Sequence, residues 1–385
     1  MHFETILVLY WFVFFWRFLI DPLKLSTSEL LSKHFPHWIH LGRELRKFRF
    51  PAKDNYFVYP ACIPFLSMFY PPHLLSAFLG SFFRLNNAFR ILVYSELIHY
   101  LLCSFLSFRM FSQWYPAEIA LFGALTLTYM AYSIKLINPC IVYTIAWIPG
   151  MFIHGYMGSI SLGMALLSGY YPVLIYIFPF AVYLNPVCVL GVILGLVQLI
   201  PMLWYWPKSV RHKTKISRRF GSVPAWRFLD LVMPGYVGQV RRLFHPESVM
   251  FLGWIPLLFI PFARSRAFFI CLAMVIISTG VIKPLFRNPC RALYTFSFFL
   301  VWLAVSGLFY SALTPKQVLL LTFIQAYCLL ANNRIYPMFP FTEKVRPSSY
   351  WFGRKSYDKT AYTYFTGYIT GDSVPRYEGG FSLCK

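Results

Sequence analysis

Long apolar stretches separated by short polar breaks dominate the chain. The opening run, MHFETILVLYWFVFFWRFLI, carries no Lys or Arg before its apolar residues and no Ala-x-Ala cleavage pattern. It predicts an uncleaved first span closed by Arg17 and Asp21 rather than a signal peptide. Further spans are expected near 88–111, 117–134, 139–156, 158–169, 172–184 and 187–206. A last group is expected near 249–263, 267–283, 290–312 and 317–332. From Leu136 to Pro207, 72 residues pass without one Asp, Glu, Lys or Arg. At ~20 residues per span that run is too long for three spans and short for four. Gly169, Pro172, Asn185 and Pro186 interrupt it, so two short helices are expected in its middle.

Three polar segments break this pattern. Residues 21–72 hold seven Lys/Arg, four acids, three His and seven Pro, which predicts a long first loop rather than a span. Within it, SELLSKHFPHWIHLGRELRKF mixes apolar and basic positions at helical spacing, as in a helix lying in the membrane interface. Residues 207–247 form a second basic loop with nine Lys/Arg against two acids. Residues 333–385 are a polar tail rich in Tyr, Gly and Ser. The expected organisation is a transmembrane domain over 1–332 followed by this tail. The fold class is all-α and polytopic, with about ten or eleven transmembrane helices at ~20 residues each.

Composition agrees. Charged residues make up 12% of the 385-residue chain and apolar ones 58%, whereas soluble domains run near ~25% charged. So few charges cannot cover a soluble body of this size. Disordered, collagen-like, coiled-coil and small disulfide-rich classes fall on the same figures. The net charge of +22 points to lipid headgroups or phosphate-bearing ligands. With no separate basic domain, a nucleic-acid partner is not expected. The eight cysteines stand singly without a Cys-x-x-Cys pair, and six of them, Cys62, Cys103, Cys140, Cys188, Cys271 and Cys328, sit in apolar stretches and read as small core residues. Metal-ligand spacing is absent, as are the glycine-rich phosphate loops and nucleophile motifs of soluble enzymes.

Four constellations could carry chemistry. The first loop gathers Glu29, Asp54, His34, His37 and His40 with Arg43, Arg46, Lys47, Arg49 and Lys53. A carboxylate at the membrane surface can take an acceptor's proton while nearby cations neutralise a leaving phosphate; a solvated amphipathic helix is the plainer reading. The three histidines suit interfacial positions better than metal binding, because Pro36 interrupts their helix. Glu96 and His99, in SELIHYLLCSF, form an intramembrane polar pair one helical turn apart. Ionisable groups inside spans are functional hypotheses by default, although such a pair can also lock helix packing. Arg287 and Arg291, in KPLFRNPCRALYTF, could grip a phosphate or anchor a span at headgroup level. Arg218 and Arg219 belong to the basic run of the second loop, a topology signal or a phosphate site.

The order of several short blocks resembles a known family. They are ELLSKHFP, FRFPAKDNYFVYPACIPFLSMFYPPHLL, LIHYLLCSFLSFRMF, AWIPGMFIHG with LLSGYYP, LVQLIPMLWYWPKSVR with DLVMPGYVG, FLGWIPLLF, and FRNPCRALYTFSFFLVWLAVSGL. Together, over about 29–312, they resemble the bacterial YfhO-like membrane proteins, which are similar in turn to the GT-C class of lipid-linked sugar transferases. The resemblance implies an inner-membrane, multi-pass protein that moves a sugar from a polyprenyl-phosphate donor to a cell-envelope acceptor. Glu29 or Asp54 would be the general base, and Arg218, Arg219, Arg287 and Arg291 would hold the carrier phosphate. A divalent metal is left open, since no ligand cluster implies one. The family shows Asp where Glu29 aligns, and its tryptophan-asparagine-proline signature is replaced by Lys53-Asp54-Asn55-Tyr56. The resemblance puts both basic loops and the tail outside, whereas the positive-inside rule would hold them in, because they carry 24 of the 35 Lys/Arg. Rival expectations are a transporter or lipid flippase using Glu96 and His99, and a non-catalytic envelope-assembly scaffold.

Overall fold

The computed structural model describes residues 2–25, 30, 34–49, 67–135, 138–205, 223, 225–233, 250–280 and 289–332. Every regular element among them is helical. In chain order they are α1 (Phe3–Ile20), α2 (Phe35–Arg46), α3 (Pro71–Gly80), α4 (Leu85–Phe111), α5 (Ala117–Tyr129), α6 (Ala131–Lys135) and α7 (Pro139–Met151). Then come α8 (Tyr156–Leu167), α9 (Tyr171–Leu184), α10 (Gly191–Tyr205), α11 (Trp254–Phe259), α12 (Ala267–Ser278), α13 (Ala292–Tyr310) and α14 (Pro315–Asn332).

Four stretches are long and apolar enough to cross a membrane: Phe3–Ile20, Leu85–Phe111, Pro186–Leu203 and Ala292–Tyr310. The chain is therefore a helical membrane protein. Five further apolar helices, α5, α7, α8, α9 and α12, run only 12–14 residues. At 1.5 Å per residue they cover roughly 20 Å, short of a ~30 Å hydrocarbon core. The 72-residue uncharged run thus holds four helices, three of them short. The stretch expected as one span near 117–134 is also divided. Met130 leaves the helix with an extended ψ of 153°, and Ala131 N–H donates to Phe251 O at 2.7 Å instead of to its own helix.

Sequence explains many of the starts. Few described helices open on a capping side chain, and several begin on proline: Pro36 in α2, Pro71 and Pro72 in α3, Pro139 in α7 and Pro172 in α9. A first-turn N–H has no partner in its own helix, and inside lipid no water replaces it. Proline removes that donor and presets the helical φ.

The central helix is α13, with 94% of its spanning window buried, against 22% for α1 and for Pro186–Leu203. It packs on α5, α11 and α12, while α4 packs on α1, α3, α5 and α7. The outer faces of α1 (Leu9, Phe12, Trp16) and α10 (Ile193, Val197, Leu203) are exposed and apolar, as lipid-facing surfaces must be. Two glycines four apart, Gly191 and Gly195, let α10 approach α8. A Cβ on Gly191 would sit 2.1 Å from Ser159 O, and one on Gly195 2.5 Å from Leu166 Cδ1. This is the small-xxx-small contact of membrane helices, where close backbones replace hydrophobic drive.

Candidate functional site

The ten-residue α3 is too short to span, at roughly 15 Å. Its N-terminus abuts the interior of α4, because Tyr70, just ahead of Pro71, meets His99, fourteen residues beyond the start of that helix. The approach to α3 is held at each step. Ser67, with a left-handed φ of 58° that a non-glycine residue seldom adopts, donates to Ser168 O. Phe69 N–H donates to Gln198 Oε1 of α10 at 3.2 Å. Tyr70 is fully buried and enters a hydrogen-bonded chain.

That chain fixes its own proton positions. His99 Nδ1 faces Ser95 O, which can only accept, so Nδ1 carries the hydrogen. In the neutral ring Nε2 is then the acceptor, and Tyr70 O–H donates to it at 2.6 Å. Tyr70 oxygen in turn accepts Trp147 Nε1–H at 2.7 Å. One chain thus joins α7, the entry to α3, and α4. Tyr143 of α7 completes the wall, its ring centroid 4.2 Å from His99 and 5.0 Å from Tyr70, its hydroxyl 3.1 Å from Ser95 Oγ.

The first loop reaches the same place. His34, His37 and His40 are buried rather than interfacial, because this face of α2 turns inward and α2 packs on α3. Trp38, fully buried beside Gly80, donates to Ser76 Oγ at 3.1 Å. His73 of α3 lies within electrostatic reach of His34, His37 and His99, and its ring meets that of Tyr143 at 5.6 Å.

Glu96 and His99 do share the interior of α4, but the expected pair does not close on itself. His99 is committed to Ser95 and Tyr70, while both oxygens of the fully buried Glu96 meet no donor among the described residues. Arg291 sits at the start of α13 with its guanidinium 5.2 Å from the ring centroid of Tyr170. Tyr170 N–H donates to Thr144 Oγ1, the neighbour of Tyr143 on α7. Tyr170 thus lies between Arg291 and α7. Glu29, Asp54, Arg218, Arg219 and Arg287 lie outside the described residues. No group of three or more His, Cys, Asp or Glu among the described residues is placed to hold a metal ion.

Two positions outside the membrane-spanning helices show what charge does here. Lys47 Nζ donates to Glu44 at 2.6 Å and holds that carboxyl below its ordinary range. In the second loop, burial pulls the Arg227 guanidinium below its ordinary value, against the opposing influence of Cys290 and Asp230. Asp230, itself buried, accepts Met250 N–H at 3.0 Å and so ties this segment to the strand of chain entering α11.

Sequence reasoning singled out Glu96 and His99 but not Tyr70, His73, Tyr143 or Trp147 as site residues. A signal existed for two of them: Tyr70 stands in FYPP and Trp147 in AWIP, both among the blocks that carry the family resemblance. Comparison with family models, curated proteins and solved structures finds no match to this chain.

Proposed function

We propose that the chain is a multi-pass transferase of the YfhO-like, GT-C type, resident in a bacterial inner membrane with about ten or eleven passes if the short helices pair or tilt to complete spans. It would move a sugar from a polyprenyl-phosphate carrier to a cell-envelope acceptor. One observation carries this reading. Three of the sequence blocks behind the resemblance, FYPP, LIHY and AWIP, meet through Tyr70, His99 and Trp147 in a single hydrogen-bonded chain. Blocks far apart in sequence that converge on one polar locus are what a common site requires.

The first loop comes down on this locus through His34 and His37, five and eight residues after Glu29. Glu29 or Asp54 would take the acceptor's proton. Arg291, held near α7 by Tyr170, would face the carrier phosphate together with Arg218, Arg219 and Arg287, spreading the charge that develops on the leaving group. Closed aromatic walls around Tyr143 would keep water from intercepting the sugar.

The test is transfer in proteoliposomes from a radiolabelled polyprenyl-phosphate sugar. Wild type should transfer label, and Glu29→Gln or Asp54→Asn should lower the rate by roughly 10²–10⁴ without changing the helical signal or unfolding midpoint. Transfer that survives both substitutions would remove the proposed base. Uptake or flipping of the lipid without transfer, dependent on an ion gradient and sensitive at Glu96 and His99, would assign the protein to the transporter class instead.

A further inference from the structure

Glu96 has no part in the transfer reaction just described, and its surroundings are unusual for a carboxyl. It lies eleven residues into α4, roughly 17 Å from the start of a helix about 40 Å long. It is 0% exposed, and neither oxygen finds a hydrogen-bond donor among the described residues. Among the described residues it forms no ion pair. Among the described residues, Tyr100 of its own helix and Tyr143 of α7 lie within its electrostatic reach, both buried, and His99 stands one turn further along α4 with both ring nitrogens already bonded. An ionised carboxylate in that setting would face neither cation nor donor, a large desolvation cost with nothing to offset it. The closed packing leaves room for the smallest of ligands, a proton.

A route to that proton is also present. Tyr143, within electrostatic reach of Glu96, contacts the rings of both His99 and His73. His73 is buried with Nδ1 lacking a partner among the described residues, and His34 and His37 bring buried imidazoles from the first-loop side to within its electrostatic reach. An imidazole can take a proton on one nitrogen and release one from the other without leaving its packing.

We propose that Glu96 is an intramembrane proton-binding site, loaded from the first-loop side through the buried imidazole of His73. The step is a proton transfer alone: on loading, an N–H bond of the protonated imidazole breaks as the carboxylate gains its O–H bond, the reverse occurs on release, and nothing is oxidised or reduced. The site does not depend on the transferase reading, because it is defined by α2, α3, α4 and α7 and not by Glu29, Asp54 or the basic loops.

Infrared spectroscopy of the full-length protein in lipid nanodiscs tests this. The difference between wild type and Glu96→Gln isolates one carboxyl, and the substitution is close in shape to the neutral acid. The expected result is a protonated-carboxyl carbonyl band at neutral pH that shifts when the buffer is changed to D₂O. In His73→Asn the shift should be slower by roughly 100-fold, within the range that a positioned acid–base group contributes. Absence of the carbonyl band overturns the site, as does a band that never shifts in D₂O, which marks a sealed structural acid. A shift equally fast in His73→Asn and wild type overturns the route.

Discussion

Tyr70 is the joint of the described site, and its hydroxyl alone can be removed by Tyr70→Phe. That oxygen serves two partners: it donates to His99 Nε2 at 2.6 Å and accepts Trp147 Nε1–H at 2.7 Å. Losing it strands both in a setting without water. A buried polar group left unsatisfied costs about 1–3 kcal/mol, which bounds the loss for two groups near about 2–6 kcal/mol. Interhelical hydrogen bonds in membranes average nearer about 0.6 kcal/mol, because the reference state also finds partners. Trp147 is only partly buried and recovers some solvation. The expected destabilisation is therefore about 2 kcal/mol. Trp147→Phe should do less, about 1 kcal/mol, since Tyr70 keeps His99 as its acceptor. The double variant should fall short of the sum by roughly 0.5–1 kcal/mol, the coupling expected of partners in one chain. Unfolding in mixed micelles titrated with dodecyl sulfate, followed by far-ultraviolet circular dichroism, reads all three. A Tyr70→Phe loss no larger than that of Trp147→Phe, or strict additivity, would refute the chain as drawn.

Gly191→Val should separate α8 from α10, because a Cβ there would lie 2.1 Å from Ser159 O; overpacking of this kind costs about 1–3 kcal/mol in the same unfolding assay. Glu44→Gln should remove roughly 0.3–0.5 kcal/mol, as suits a surface pair one helical turn apart. Lys47 lowers the Glu44 carboxyl from the ordinary 4.5, so this contribution is complete above that pH and fades as pH falls through the lowered value. Wild type and Glu44→Gln should thus converge in acid, and a gap that persists there would show that the ion pair is not its source. Glu96→Met should raise the free energy of unfolding by about 1–2 kcal/mol, since it replaces a buried carboxyl that meets no donor among the described residues with an apolar chain of similar length.

Much of the helical framework was legible. The apolar runs near 88–111, 139–156, 172–184 and 290–312 correspond to α4, α7, α9 and α13; the breaks at Gly169 and Asn185 fall between helices, and Pro172 sits in the first turn of α9. Helix length was less legible, because apolar composition does not distinguish a residue in a helix from one in the bend after it. Met130 and Ala131 are as apolar as their neighbours, yet a bond from Ala131 N–H to Phe251 O, 120 residues away, ends α5. Burial of the loop histidines was hidden for a related reason. His34, His37 and His40 look amphipathic in isolation, and only the packing of α2 on α3 decides which face turns inward. Within the site, ionisable residues in an apolar run announced Glu96 and His99. Tyr70, Tyr143 and Trp147 gave no such signal, since aromatic residues with polar tips occur throughout a chain that is 21% aromatic.

The polar interior of this bundle divides into two kinds of group, and the division says which are there for architecture. Trp147, Tyr70, His99 and Ser95 satisfy one another, so they can be explained by the need to seat a helix that begins beside the middle of α4. The paired prolines of α3 serve the same end by removing two first-turn donors from a place that has no acceptor for them. Glu96 and His73 are different. Each is buried, each retains a polar atom without a partner, and neither holds two elements together by a hydrogen bond through that atom. Packing alone would favour apolar side chains at both, as the Glu96→Met expectation expresses. Hydroxyls and amides such as those of Ser161, Thr295 and Gln325 also keep unmet atoms among the described residues, but Glu96 is the one carboxyl in that group, and a buried ionisable side chain without a partner is the kind of exception expected where chemistry occurs. The locus around Tyr143 is therefore a second place, beside the first-loop carboxylates, at which to look for activity in this protein.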